Sequence, residues 1–152
     1  MKLNQVEKSK LLEAIPLIAA YVAFADGHLN DKELNSAKRI ANLRRFSGRF
    51  EPEIRKYYQQ VFENFDTRFT ELLARLPEEE DARNQYLESE LEEINKIVHN
   101  VSPLFGEQLI KTFRSFAEHV AKAEGGFMQI GAIGPKEARA MKLSMFKDID
   151  SL

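Results

Sequence analysis

The chain has 152 residues, with 22 Lys and Arg against 24 Asp and Glu, three His, no Cys and no Trp. That length argues for one domain, and 43% hydrophobic with 30% charged residues is the make-up of a globular protein, not a disordered one. Lack of cysteine excludes thiol nucleophiles, disulfides and thiolate metal sites, and a net charge of −2 argues against a protein basic enough overall to wrap nucleic acid.

The polar, mixed-charge opening from Met1 to Lys10 reads as neither a secretory signal nor a transit peptide. The longest uncharged stretch, Ala14 to Ala25, is too short to span a bilayer and contains Pro16, so cytoplasmic residence without a transmembrane segment is expected. Leu11, Leu12, Ile15, Ile18, Ala19, Val22 and Ala25 recur at spacings of three and four and predict one face of a first helix, which Pro16 kinks or restarts. Gly27 stops it. Asn30 followed by Glu33 has the spacing of a capping box and opens a second helix from about Asp31 to Arg45, ending near Gly48.

Pro52 stands where a first helical position would be, and Ile54, Tyr57, Tyr58, Val61, Phe62, Phe65 and Phe69 follow as an apolar face. That helix, with a restart at Asp66, should reach Ala74 before Leu76-Pro77 breaks it. Glu78 to Asp81 open the next helix, where negative charge complements the helix dipole, and Leu87, Leu91, Ile94, Ile97 and Val98 form its apolar face. The short break predicts that these two form an antiparallel hairpin. Ser102-Pro103 caps a helix to about Glu124, and a last helix runs from near Pro135 to about Lys147, with a frayed tail from Asp148 to Leu152. With no alternating strand pattern, the expectation is an all-α fold of about six or seven helices.

Two segments resemble each other. Val22 to Leu29 aligns with Val120 to Phe127, and the same offset matches Leu11 with Leu109, Ile15 with Phe113, Ile18 with Phe116 and Ala19 with Ala117. Lys32-Glu33 has its echo in Lys136-Glu137. The predicted architecture is therefore two helix, acidic turn, helix halves, 11–45 and 109–147, flanking the central helical hairpin in a single domain.

Ala25-Asp26-Gly27-His28-Leu29, with Asp31 and Glu33 opening a helix, resembles the signature of the tellurite-resistance TerB family. The resemblance is good from about Leu11 to Leu43 and weaker in the second half, where Glu124 replaces aspartate, the glycine is doubled and Met128 to Gly134 lengthen the turn. It implies an internally duplicated helical domain tied to tellurite and stress resistance; with no catalytic motif in the chain, no enzymatic activity is expected. It also implies a protein partner of the membrane-associated or chaperone type, and acidic residues that hold metal ions.

Calcium or magnesium would suit such turns, because both take several oxygen ligands. Asp26, Asp31, Glu33, Glu124 and Glu137 are the candidate metal ligands if the halves pack about a pseudo-twofold axis. The same residues also make a helix end and a capping box with no ion at all. A calcium-sensing EF-hand is rejected, since Val22 and Phe24 stand where its first carboxylates belong.

No nucleophile elbow, phosphate loop or dinucleotide fingerprint is present, and no two of His28, His99 and His119 have helical zinc spacing. Lys38, Arg39, Arg44, Arg45, Arg49, Arg55 and Lys56 make a basic stretch that reads as a solvated or salt-bridged face, with Phe46, Phe50, Tyr57 and Tyr58 assigned to the core and no nucleic-acid role. Glu78 to Glu93 is acidic, and the two stretches could pair within the chain or in a homo-oligomer. The apolar, glycine-rich segment after Gly126 contributes Phe127, Met128, Ile130 and Ile133 as candidate partner-binding residues, with burial in the core as their alternative. A helical protein-interaction domain without metal is the alternative to the metal-binding reading.

Overall fold

The computed structural model describes the backbone of residues 3–26, 31–128 and 135–149, with side chains at all of these except 26, 31–34, 123–128 and 135–137. The described residues form an all-α fold: α1 (Gln5–Ala23), a 3₁₀ turn (Phe24–Asp26), α2 (Asp31–Arg44), α3 (Pro52–Glu63), α4 (Phe65–Arg75), α5 (Glu80–Val98), α6 (Pro103–Met128) and α7 (Pro135–Ala140).

The first helix explains the arrangement of the rest. Of its predicted stripe Leu11, Ile15, Ile18, Ala19 and Val22 are buried and Leu12 is half-buried, but every residue from Ala14 to Ala20 is buried too, and a stretch apolar all round belongs inside the fold. It packs against α2, α3, α4, α5, α6 and α7. Pro16 does not interrupt it. Nearby, the Tyr57 hydroxyl of α3 donates to the Leu11 carbonyl at 2.6 Å, next to Leu12, whose carbonyl loses its helical donor to the proline. The helix begins earlier than its apolar pattern, because Asn4 and Glu7 form a reciprocal capping box at 2.8 and 3.0 Å.

The beginnings of α2, α3 and α6 lie where caps and prolines place them. The α3/α4 break falls at Asn64, and the restart is Phe65 instead of Asp66, which lets Phe65 and Phe69 stack 5.7 Å apart in the core.

Three other expectations are corrected. The predicted central hairpin is not a packed pair, since α4 and α5 each lie against α1 and hardly touch one another. Arg75 joins them at the edge through Tyr86 at 3.1 Å, and also pairs with Glu13 of α1. The second acidic turn is not a turn at Glu124, because α6 stays helical through Gly125 and Gly126 to Met128. Glycine weakens a helix by roughly 1 kcal/mol, but unlike proline it keeps the hydrogen-bonding N–H.

Third, α7 ends at Ala140, well short of Lys147. Leu143 then takes a left-handed φ of 47°, which turns the chain so that Leu143 and Phe146 are both buried, Phe146 at 5.3 Å from Phe113. Lys147 and Asp148, the latter expected to open a frayed tail, are held. Arg114 pairs with Asp148 at 3.0 Å and donates to the Phe146 carbonyl at 2.8 Å, while His99 Nε2 donates to the Lys147 carbonyl at 2.8 Å. Residues 150–152 lie outside the described residues.

The helices carrying the internal similarity, α1 and α6, pack on each other. The matched positions Leu11 and Leu109, Ile15 and Phe113, Ile18 and Phe116, Ala19 and Ala117, and Val22 and Val120 are all buried. The 3₁₀ turn after α1 packs on α7, so the end of the first acidic segment meets the last helix.

Candidate functional site

The backbone gives each expected metal ligand an address. Asp26 closes the 3₁₀ turn, Asp31 and Glu33 open α2, Glu124 lies within α6 and Glu137 lies in α7. Packing of the turn on α7 brings together the elements that carry Asp26 and Glu137. The side chains of all five lie outside the described residues, as do those of Phe127 and Met128, and all of Ile130, Ile133 and His28.

Beside this junction is a cleft of about 270 Å³ lined by Tyr21 and Ala25 from the first half, Glu80, Asp81 and Glu88 from α5, and Arg139 from α7. Tyr21 spans it, its hydroxyl donating to Glu88 Oε2 at 2.8 Å. Burial, and then the bonded Glu88 carboxylate, push the Tyr21 hydroxyl far above the usual tyrosine range, so it stays a donor at physiological pH. Next to the cleft the Arg83 guanidinium lies 4.3 Å over the Phe24 ring.

Donor chemistry here suits a hard cation, since carboxylates dominate. Yet no group of three His, Asp or Glu able to hold a metal occurs among the described residues. Glu88 is engaged by Tyr21, and Arg139 brings a positive charge to the same cleft. The described residues therefore do not by themselves compose a metal centre, and any ion there requires carboxylates from Asp26, Asp31, Glu33, Glu124 and Glu137.

At the far end of α2 the structure places a cluster that sequence reasoning missed. Arg44, assigned to a solvated basic face, is only 4% exposed. Its Nη1 donates to the Tyr58 hydroxyl at 3.0 Å, the Thr112 carbonyl at 3.1 Å and Thr112 Oγ1 at 2.9 Å. Its Nη2 bonds Ser115 Oγ at 2.7 Å and His119 Nδ1 at 2.8 Å. The guanidinium also lies within 5.2 to 5.6 Å of the Phe50, Tyr58 and Phe116 ring centres. Every one of these partners is neutral, and no described carboxylate lies within ion-pair distance.

A guanidinium only donates, so His119 Nδ1 must be the acceptor and its ring hydrogen sits on Nε2. Partial burial and then the Arg44 charge hold the His119 pKa below its ordinary 6.5. The signal for Arg44 was spacing. Ala37, Ala41 and Arg44 share one helix face, and the first two are fully buried.

The rest of the basic stretch is spread over different surroundings. Lys38 pairs with Asp66 of α4 at 2.7 Å, and Arg45 lies over the Phe46 and Phe62 rings at 4.4 and 4.6 Å. Tyr57 and Tyr58 are core residues as expected, whereas Phe46 is 69% exposed.

No helix among the described residues is long and apolar enough to cross a membrane. No family model, curated protein or solved structure matches this chain.

Proposed function

We propose that this chain is a non-enzymatic, cytoplasmic binding module of the TerB kind, associated with stress and tellurite resistance, that holds calcium or magnesium at its acidic turn. One observation carries the reading: the 3₁₀ turn ending in Asp26 packs on α7, the helix of Glu137, beside a cleft lined with α5 carboxylates. Two segments that are 111 positions apart by their numbers, Asp26 and Glu137, are thus parts of one end of the fold. In a chain without cysteine, contact with a thiol-reactive oxyanion would go through oxygen ligands or protein partners.

Calorimetric titration of calcium, magnesium and zinc tests this. Calcium or magnesium should give saturable heats that Asp26→Asn weakens by about tenfold or more, the loss of one charged ligand. Absent heats, or heats that the substitution leaves unchanged, overturn the reading.

A second reading, a helical domain that recruits a protein partner without an ion, is favoured by Leu43 and Phe46, exposed at 61% and 69% near the end of α2. Absent ion heats combined with a partner interaction lost on Phe46→Ser would select it.

A further inference from the structure

We propose that the groove between the C-terminal end of α2 and α6 binds a small organic carboxylate with an apolar body. The groove encloses about 350 Å³, within the range of small-molecule sites, and has Arg44 at its buried base. Ile40, Leu43 and Phe50 form apolar walls, and Ser115, His119 and Arg49 add polar groups.

Charge is the first argument. Arg44 keeps its positive charge in nearly complete burial, where a neighbouring charge is felt more strongly than in water, and all of its protein partners are neutral. Arg49 brings a second positive charge, and no acidic residue lines the groove among the described residues.

Hydrogen-bond accounting is the second. Ser115 Oγ and His119 Nδ1 both accept from Arg44 Nη2, which leaves each residue with one hydrogen to donate, on Ser115 Oγ and on His119 Nε2. Neither hydrogen meets an acceptor among the described residues, and the two residues stand four apart on α6, so they share a face. The guanidinium side chain of Arg49 is likewise without a described acceptor. A positive groove that offers donors and has its own acceptors occupied takes a ligand rich in lone pairs. A carboxylate has two oxygens to meet two donors, and the apolar walls select an aliphatic or aromatic body behind it over a compact inorganic oxyanion.

The groove is separate from the acidic end. The fourteen residues of α2 put Arg44 about 20 Å along the helix axis from Asp31, so this site does not depend on the cation reading.

The experiment is calorimetry of the full chain with hexanoate, alongside hexan-1-ol and inorganic phosphate, while the His119 ring signals are followed by NMR. Hexanoate should bind saturably and shift the His119 signals, with hexan-1-ol and phosphate each weaker by about tenfold or more. Arg49→Gln and Ser115→Ala change exposed or half-buried groups, and each should weaken hexanoate by roughly tenfold while circular dichroism stays that of the parent.

Equal binding of hexan-1-ol would mean a merely greasy groove, and equal binding of phosphate a merely positive one; either overturns the proposal. So does the absence of saturable binding up to about 10 mM hexanoate, far weaker than a built site gives. A peptide with a free C-terminal carboxylate that binds where hexanoate fails would assign the groove to a protein partner and overturn it too.

Discussion

Gly106 lies within α6 where any side chain would collide. A Cβ there would sit 2.4 Å from Ile149 Cδ1 and 2.7 Å from the Val98 carbonyl oxygen. The isoleucine tip can move, but a backbone oxygen next to the end of α5 has little room. Gly106→Ala should therefore destabilise the protein by about 1–3 kcal/mol despite alanine's better helix propensity, read as a lower urea midpoint. Gly48 is the contrast, with nothing within 4 Å of its added Cβ. Gly48→Ala should be neutral or stabilise by up to about 1 kcal/mol, through the unfolded chain. Neither consequence is legible from the sequence, where both are glycines at the edge of a helical pattern. Arg44 belongs to the same class of residue. Its type says surface, its register with Ala37 and Ala41 says core, and only the neutral acceptors on α3 and α6 reconcile the two.

Among the elements, starts were more legible than ends. Caps and N1 prolines act through their own backbone neighbours, so Pro52 and Pro103 mark α3 and α6 correctly. The start of α1 obeys the same rule through Asn4 and Glu7. Asn4→Ala removes the acceptor for the Glu7 N–H, and should cost about 1 kcal/mol while raising amide exchange in the first turn of α1 alone. Exchange that rises throughout α1 would contradict such a local role. Ends failed where long-range packing chose them. The helix of α7 gives way after Ala140 because Leu143 and Phe146 gain burial against α6 only if the chain turns back. The α4/α5 connection looked like a hairpin because a short loop permits one, but α1 offers both helices a better apolar surface than they offer each other.

Across the whole molecule, α1 is the axis and the Arg44 cluster is a polar clasp between α2, α3 and α6. That clasp couples stability to pH. Folding lowers the His119 pKa, first by burial and then by the Arg44 charge from α2, while Glu118 on its own helix opposes the shift and Lys122 adds to it. The unfolded chain thus takes up the proton first as pH falls through about 6.5. The stability this histidine contributes is complete above that value and is lost as pH falls from there toward the folded pKa. Urea midpoints at about pH 7.5 and about pH 5.5 should differ less for His119→Gln, which keeps an acceptor for Arg44 but does not titrate, than for the parent. Equal differences would remove His119 from the account.

The all-α class, the two similar segments and most helix beginnings are properties of local sequence, because periodicity, caps and prolines act over a few residues. Tertiary structure alone decided that the Ala14–Ala20 stretch of α1 is buried on every side, that the 3₁₀ turn of the first half lies on α7, and that a basic residue becomes the base of a groove. Those outcomes depend on which apolar faces and which hydrogen-bond acceptors from distant segments meet, and spacing along the chain does not encode that meeting. The near-neutral net charge was the least informative quantity of all. It averages an acidic cleft beside the 3₁₀ turn and α5 and a positive groove at the C-terminal end of α2, and only the fold separates the two.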